Sequence, residues 1–255
     1  MQKTTKAAAK AAAFLKQKKY RTERQEFLVE GLRAVEEAVE YGKVKTIFFV
    51  PTNDERTNTL LKKAADKGIE LSETYEGYMV QIADTTTPQG VIAICLMPQN
   101  KLQNIFDGKG MILVLDRVQD PGNFGTILRT ADAAGIGGII SLSGSVDAYS
   151  PKVIRSSMGS IFHIPLVENV SESEFLQAAT KFNYDIVATS LKDGKSIYET
   201  KCKPQSAIIV GNEANGVSPV FLKTANKKVF IPMRGRAESL NVAMAAGVIM
   251  FELTK

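Results

Sequence analysis

Three stretches of this chain set glycine beside Asn, Ser, Arg and Glu directly after short apolar runs. Such strand-to-loop junctions are where open α/β sheets place their ligands. The first reads LDRVQDPGNFGTILRTADAAGI (115–136). A loop with Pro121 and Gly122 leads into a helical pattern whose apolar stripe is Ile127, Leu128, Ala131 and Ala134. Asn123 falls near the N-cap, Gly135 ends the helix, and Arg129 stands about 200° round from Ile127, able to face the loop. These residues alone also admit an ordinary cap and a solvated charge. The second stretch is IIVGNEANGVS (208–218), with Gly211, Asn212, Glu213, Asn215 and Gly216. Val217 stands where a phosphate-binding P-loop needs Lys, so ATPase chemistry is excluded. What remains is a glycine loop whose backbone groups suit an adenine edge, or a plain turn. The third is VFIPMRGRAESLNVAMAAGVIMFEL (229–253), with Ser239 as a plausible N-cap. Gly247 inside that helix costs about 1 kcal/mol relative to Ala, so close packing on another backbone, in its own sheet or another subunit, would rationalise it.

Absences narrow the chemistry. There is no GxGxxG, GxSxG or HExxH. His163 is the only histidine, and Cys95 and Cys202 are far apart without a CxxC partner, which leaves no metal site. His163, in IFHIP, reads as structural. No run approaches the roughly 18 apolar residues of a membrane span, and a reducing, cytoplasmic setting fits the cysteine usage. The net charge is +5, yet within residues 1–25 Lys3, Lys6, Lys10, Lys16, Lys18, Lys19, Arg21 and Arg24 face only Glu23, a local charge of +7. A basic segment of that kind suits RNA phosphates, or serves as a solubilising tail.

The elements that position these residues follow from periodicity. TKAAAKAAAFLKQKK has helix propensity but little apolar face and reads as a helix or a frayed arm. The spacing of Phe27, Leu28, Leu32, Val35, Ala38 and Val39 predicts a helix over 26–41 stopped by Gly42. A strand over 46–50, a helix over 53–67 ended by Gly68, and a strand over 90–97 follow. The polar stretch 98–110 reads as a domain boundary, giving an N-terminal domain (1–98) with a basic arm, a linker (99–110) and a second domain (111–255). In the second domain strands are expected at 111–116, 138–142, 161–165, 185–189, 207–210 and 229–231. Helices are expected near 124–134, 151–159, 172–182 and 239–253. The fold class is α/β with a mostly parallel sheet.

Taken together, PGNFGTILRTADAAGI, IIVGNEANGVS and IPMRGRAESLNVAMAAGVIMFEL resemble the three motifs of the SpoU group of RNA 2′-O-ribose methyltransferases, a TrmH-like branch of the SPOUT class. SPKVIRSSMGSIFHIP (150–165) is similar to the stretch between motifs. FLVEGLRAVEEAVEYG and TPQGVIAI resemble, more weakly, an L30e/L7Ae-like substrate-binding domain. The resemblance implies a SPOUT domain with a deep trefoil knot, S-adenosylmethionine bound in the knotted loops, and a homodimer. It places Gly211, Ile231 and Leu240 at the cofactor through backbone, with Thr189, Ser190, Asn212 and Met233 nearby. It places Arg129, Asn123, Glu213, Ser239 and Asn241 around the reacting ribose. RNA contacts are expected at Lys16, Lys18, Lys19, Arg21 and Arg24 of the basic segment and at Arg155.

The reaction so implied is attack of a ribose 2′-oxygen on the cofactor's methyl group, with rate coming from positioning and stabilisation of developing charge. A guanidinium does not lose its proton, so Arg129 fits phosphate anchoring or charge stabilisation better than base catalysis. Glu213 would order the second loop or hold Arg129. The partner is rRNA, slightly favoured, or tRNA. The rival reading is a catalytically silent RNA-binding protein.

Overall fold

A computed structural model of the chain describes residues 2–108, 110–191 and 193–255. Its backbone divides into two units, residues 1–98 with 149–162, and residues 99–148 with 163–255.

In the first unit the elements run β1 (Gln2–Lys3), α1 (Lys6–Ala13), α2 (Lys18–Arg24), β2 (Glu26–Glu30), α3 (Leu32–Tyr41), β3 (Val44–Phe49), α4 (Glu55–Asp66), β4 (Glu70–Glu73), α5 (Glu76–Ile82) and β5 (Val91–Leu96). Their sheet has the order β1-β4-β3-β5-β2, with the first three strands parallel and β5 antiparallel to both β3 and β2. The helix expected over 26–41 is therefore two elements. Residues 26–29 form a wholly buried run paired along β5, and Gly31, at φ +98°, turns the chain into α3. Only glycine takes that conformation without strain. From Gln2 to β2 the chain is structured. Thr5 caps α1 by accepting from Ala8 N, and Ala9, Ala12 and Leu15 are buried in the core with Leu28, Phe48 and Met79. Small alanines thus form the packing face that periodicity left undecided. Cys95 is buried in β5, where desolvation pushes its thiol well up.

The second unit begins inside the expected linker. Helix α6 (Leu102–Asp107) buries Ile105 and Phe106, and Phe106 meets Tyr184 edge-on with ring centroids 5.1 Å apart. The polar flanks hide a short apolar stripe that only its partners reveal; Lys109 lies outside the described residues. There follow β6 (Ile112–Asp116), α7 (Pro121–Ala133), β7 (Gly138–Leu142), α8 (Pro151–Ser157), β8 (Leu166–Val170), α9 (Glu172–Lys181), β9 (Asp185–Thr189), β10 (Lys195–Ser196), β11 (Ser206–Gly211), α10 (Pro219–Thr224), β12 (Lys227–Phe230) and α11 (Val242–Leu253). Within this run α8, over residues 151–157, belongs to the first unit. The strand expected at 161–165 is absent. Ser160–Phe162 make a 3-10 turn, His163 follows in a turn paired to Asp132, and β8 starts only after Pro165, which has no N–H for a ladder.

All seven strands of this sheet are parallel, in the order β10-β12-β9-β11-β6-β7-β8. The chain lays β6, β7 and β8 to one side, and β11 later enters between β9 and β6. Parallel strands covered on both faces must be apolar throughout, and β6, β7 and β11 are buried at every residue. Helix α11 packs on α7, and a Cβ on Gly247 would lie 3.2 Å from Thr130 Cγ2. The close neighbour of Gly247 is thus in its own chain. Among the described residues no helix is long and apolar enough to cross a membrane.

Candidate active site

Strand β11 delivers Gly211 to its carboxyl end, where the chain folds sharply back. Asn212 and Gly216 exchange backbone hydrogen bonds of 3.1 and 2.9 Å, and Gly216 has φ +66°. A Cβ on Gly211 would lie 2.1 Å from the Gly216 carbonyl carbon. No side chain fits there. Asn212 Oδ1 accepts from the N–H groups of Ala214 and Asn215, both at 3.0 Å, and its Nδ2 donates to the Arg117 carbonyl at 2.9 Å.

Beneath this loop, Asp116 ends β6 with its carboxylate fully buried. It accepts from Ser218 N at 2.6 Å and Arg117 Nε at 2.8 Å. Arg117 holds φ +59°, a left-handed conformation uncommon for a side-chain-bearing residue. The exits of β6 and β11 are therefore tied to each other by Asp116 and Asn212. Neither tie was expected from the sequence, although an acid closing an apolar strand was visible at Asp116.

Helix α7 is capped by Asp120, which accepts from Asn123 N at 2.7 Å, so Asn123 is not the cap. Its side chain is instead free to bridge. Asn123 Nδ2 donates to Glu213 at 3.1 Å, and Asn241 Nδ2 donates to Asn123 Oδ1 at 2.9 Å. Asn241, rather than Ser239, caps α11 by accepting from Ala243 N at 2.9 Å. Glu213 also accepts from the backbone N–H groups of Asp120 and Gln119. Partial burial raises its pKa, but the hydrogen bonds from Asn123 and the backbone outweigh burial and hold the carboxyl below its ordinary value.

A cleft of about 600 Å³ opens at the carboxyl ends of β9, β11 and β12. Thr189 and Ser190 line it from β9, Gly211 and Asn212 from β11, Ile231 and Met233 after β12, and Leu240 before α11. Glu213, Ser239 and Asn241 stand on its wall, and Val229 and Ile249 add apolar floor. Ligand sites in open α/β sheets lie outside the carboxyl ends of the strands, where the strand order reverses. Arg129 is apart from this group: it is exposed, does not line the cleft, and makes no hydrogen bond or ion pair with Glu213 or Asn123. Glu213 holds the 119–123 loop, not Arg129.

The basic residues expected at RNA divide. Lys16 Nζ donates to the carbonyls of Gln81 and Ala83, and Arg21, only 3% exposed, donates to those of Leu15 and Lys16. Both are structural ties. Arg24 donates to the Ala11 carbonyl while remaining exposed, and Arg155 pairs with Asp84 at 2.9 Å. Lys18 and Lys19 are exposed.

A parallel sheet with a cleft at its carboxyl edge, walled by a glycine loop and a helix N-terminus, defines an α/β ligand-binding domain, and the chain carries a second, smaller α/β unit. The chain belongs to the SpoU rRNA Methylase family, whose model matches residues 110–251; residues 6–93 match the MRM3-like substrate binding domain. It is 37% identical over 237 residues to the 23S rRNA (guanosine(2553)-2′-O)-methyltransferase RlmP of Bacillus subtilis, covering 92% of this chain and 91% of that protein. It is 32% identical to the 23S rRNA (uridine(2479)-2′-O)-methyltransferase of Streptomyces viridochromogenes, over 95% of this chain and 87% of that one. The AdoMet-bound rRNA methyltransferase of Sinorhizobium meliloti superposes with a TM-score of 0.88 at 32% identity, covering 99% of this chain and 95% of that structure.

Proposed function

We propose that this protein methylates a ribose 2′-hydroxyl of ribosomal RNA with S-adenosylmethionine. The carrying observation is the Asn241–Asn123–Glu213 chain, which draws all three sequence motifs to one wall of the cleft. The cleft fits the cofactor. Its size lies in the range of small-molecule sites, Val229, Ile231 and Ile249 offer apolar surface to a purine, and backbone groups of the 211–217 loop offer polar edges. When bound, S-adenosylmethionine supplies a sulfonium-activated methyl group.

Gly211, Ile231 and Leu240 hold the cofactor through backbone, with Thr189, Ser190, Asn212 and Met233 around it. Glu213, anionic at neutral pH, places a negative charge on the wall and fixes Asn123. Asn123, Asn241 and Ser239 orient the ribose. Arg129 stays protonated and contributes by anchoring phosphate or stabilising charge that develops on oxygen. The first unit recruits the RNA. Likeness to the family supports a deep trefoil knot in the second unit and a homodimer formed through it. Met244 and Phe251, 61% and 52% exposed and two turns apart on α11, supply apolar surface for such a contact. Likeness to the rRNA methyltransferase of Bacillus subtilis supports a cytoplasmic setting. The silent-binder alternative finds no support in relatives that are named as methyltransferases.

The test is transfer of labelled methyl from S-adenosylmethionine to rRNA and tRNA taken from a strain lacking this protein. Label in a 2′-O-methylated nucleotide of rRNA is expected; no label in either RNA would overturn the proposal.

A further inference from the structure

The basic start of the chain carries a feature that charge alone does not explain. At the junction of α1 and α2, the rings of Phe14 and Tyr20 stack with centroids 4.6 Å apart and planes inclined by 22°. Tyr20 packs on the core of the first unit, and Phe14 lies on Tyr20, only half-buried. Three cations surround the pair. Lys10 Nζ sits 5.8 Å from the Phe14 centroid, and Lys19 Nζ and Arg24 Cζ each sit 5.8 Å from the Tyr20 centroid.

Lys10, Lys18 and Lys19 are exposed, and their side chains make no hydrogen bond or ion pair among the described residues, whereas Lys16 and Arg21 are tied to backbone carbonyls. Glu23 is the only acid in this segment. Core packing accounts for Tyr20. It does not account for a half-buried second ring that carries Lys10 at its face and is stacked on a ring carrying two further cations. Unpaired RNA is recognised by this combination: bases stack on aromatic faces while Lys and Arg take the adjoining phosphates. A paired A-form helix keeps its bases stacked inside and cannot use the ring.

We propose that Phe14 and Tyr20, with Lys10, Lys18 and Lys19, form a docking surface for an unpaired RNA segment, one base stacking on the Phe14 ring. This deepens the reading that the substrate is RNA and rests on it.

The experiment measures binding of the full chain to a short fluorescein-labelled oligouridine, and to a fully paired RNA duplex of equal length, by anisotropy over a range of salt. Phe14→Leu should lose roughly tenfold in oligouridine affinity, the order expected for one base–aromatic stack, with duplex affinity unchanged. Lys10→Gln with Lys19→Gln, both at exposed positions, should weaken both RNAs and flatten the salt slope on oligouridine by about 1.4. Melting temperatures of the variants separate this from misfolding. Parental affinity for oligouridine in both variants overturns the docking surface, as does an equal loss on duplex and single strand in Phe14→Leu. Methyl transfer to rRNA is run in parallel. If the parent transfers methyl but both variants bind oligouridine normally, only the docking surface falls; if the parent transfers none while Phe14→Leu still loses oligouridine, only the enzyme reading falls.

Discussion

Asn241 donates its Nδ2 hydrogen to Asn123 Oδ1 at 2.9 Å, joining two side chains 118 residues apart. The direction of this bond follows from its neighbours. Asn241 Oδ1 is occupied by the N–H groups of Ala243 and Met244 at the start of α11, so only its amide hydrogens face Asn123. Asn123 must accept there, which leaves its own Nδ2 for Glu213, an acceptor-only carboxylate. Helix cap, bridging amide and carboxylate therefore form one polarised chain.

Replacing the middle member tests that chain. Asn123→Asp removes the donor to Glu213 and sets a second carboxylate against it. Turnover should fall about 10²-fold, the scale of misplacing a reacting group by about an ångström, while S-adenosylmethionine binding changes little. Steady-state kinetics with calorimetry measures both; an unchanged kcat removes Asn123 from the site.

The carboxylate makes a pH prediction. Because the folded state holds the Glu213 pKa below its ordinary value, ionised Glu213 stabilises the fold above the unfolded-chain pKa, and that contribution is lost as pH falls through the depressed folded value. Glu213→Gln should accordingly melt below the parent at neutral pH, with the gap closing on acidification. A gap that widens in acid contradicts the assignment.

At Gly211 the constraint is steric. A methyl group 2.1 Å from the Gly216 carbonyl carbon forces the 212–216 turn off the end of β11. Gly211→Ala should weaken S-adenosylmethionine by at least roughly tenfold, equivalent to about 1.4 kcal/mol, as read by calorimetry.

Arg129 is exposed and apart from the cofactor cleft. Arg129→Ala should preserve cofactor affinity and reduce turnover by about 10²-fold, typical of losing a group that stabilises developing charge. Loss of cofactor binding with retained turnover per bound cofactor would assign it the opposite role.

Arg21 is buried and holds the carbonyls of Leu15 and Lys16. Arg21→Met keeps the stem but strands both acceptors, so unfolding free energy should drop by about 2–4 kcal/mol in urea titration. The salt slope of RNA binding should be unaltered, which separates this arginine from Lys18 and Lys19. Truncating residues 1–25 cannot make that distinction, since it also removes Ala9, Ala12 and Leu15 from the core.

Local pattern was enough for the elements whose information is local. β7 and β9 run over 138–142 and 185–189 as their apolar runs indicate, and the glycine loop after β11 is legible because Gly211 and Gly216 carry it. Helix 26–41 misled because Phe27 and Leu28 satisfy a helical stripe and a buried strand equally; the ladder to β5 decides between them. Helix α6 was masked by polar neighbours, and α1 by alanines that look indifferent until something packs on them.

By itself the sequence determined the α/β class, the three motifs and the family they mark, because those depend on residue identity and short-range spacing. Only the tertiary structure decided that Asp120 and Asn241 cap the helices, that Glu213 binds Asn123 rather than Arg129, that Asp116 ties two strand exits together, and that Arg21 and Lys16 hold backbone carbonyls. Each of these is a hydrogen-bond choice among several chemically equivalent partners. Position in three dimensions selects the partner, and residue type alone does not.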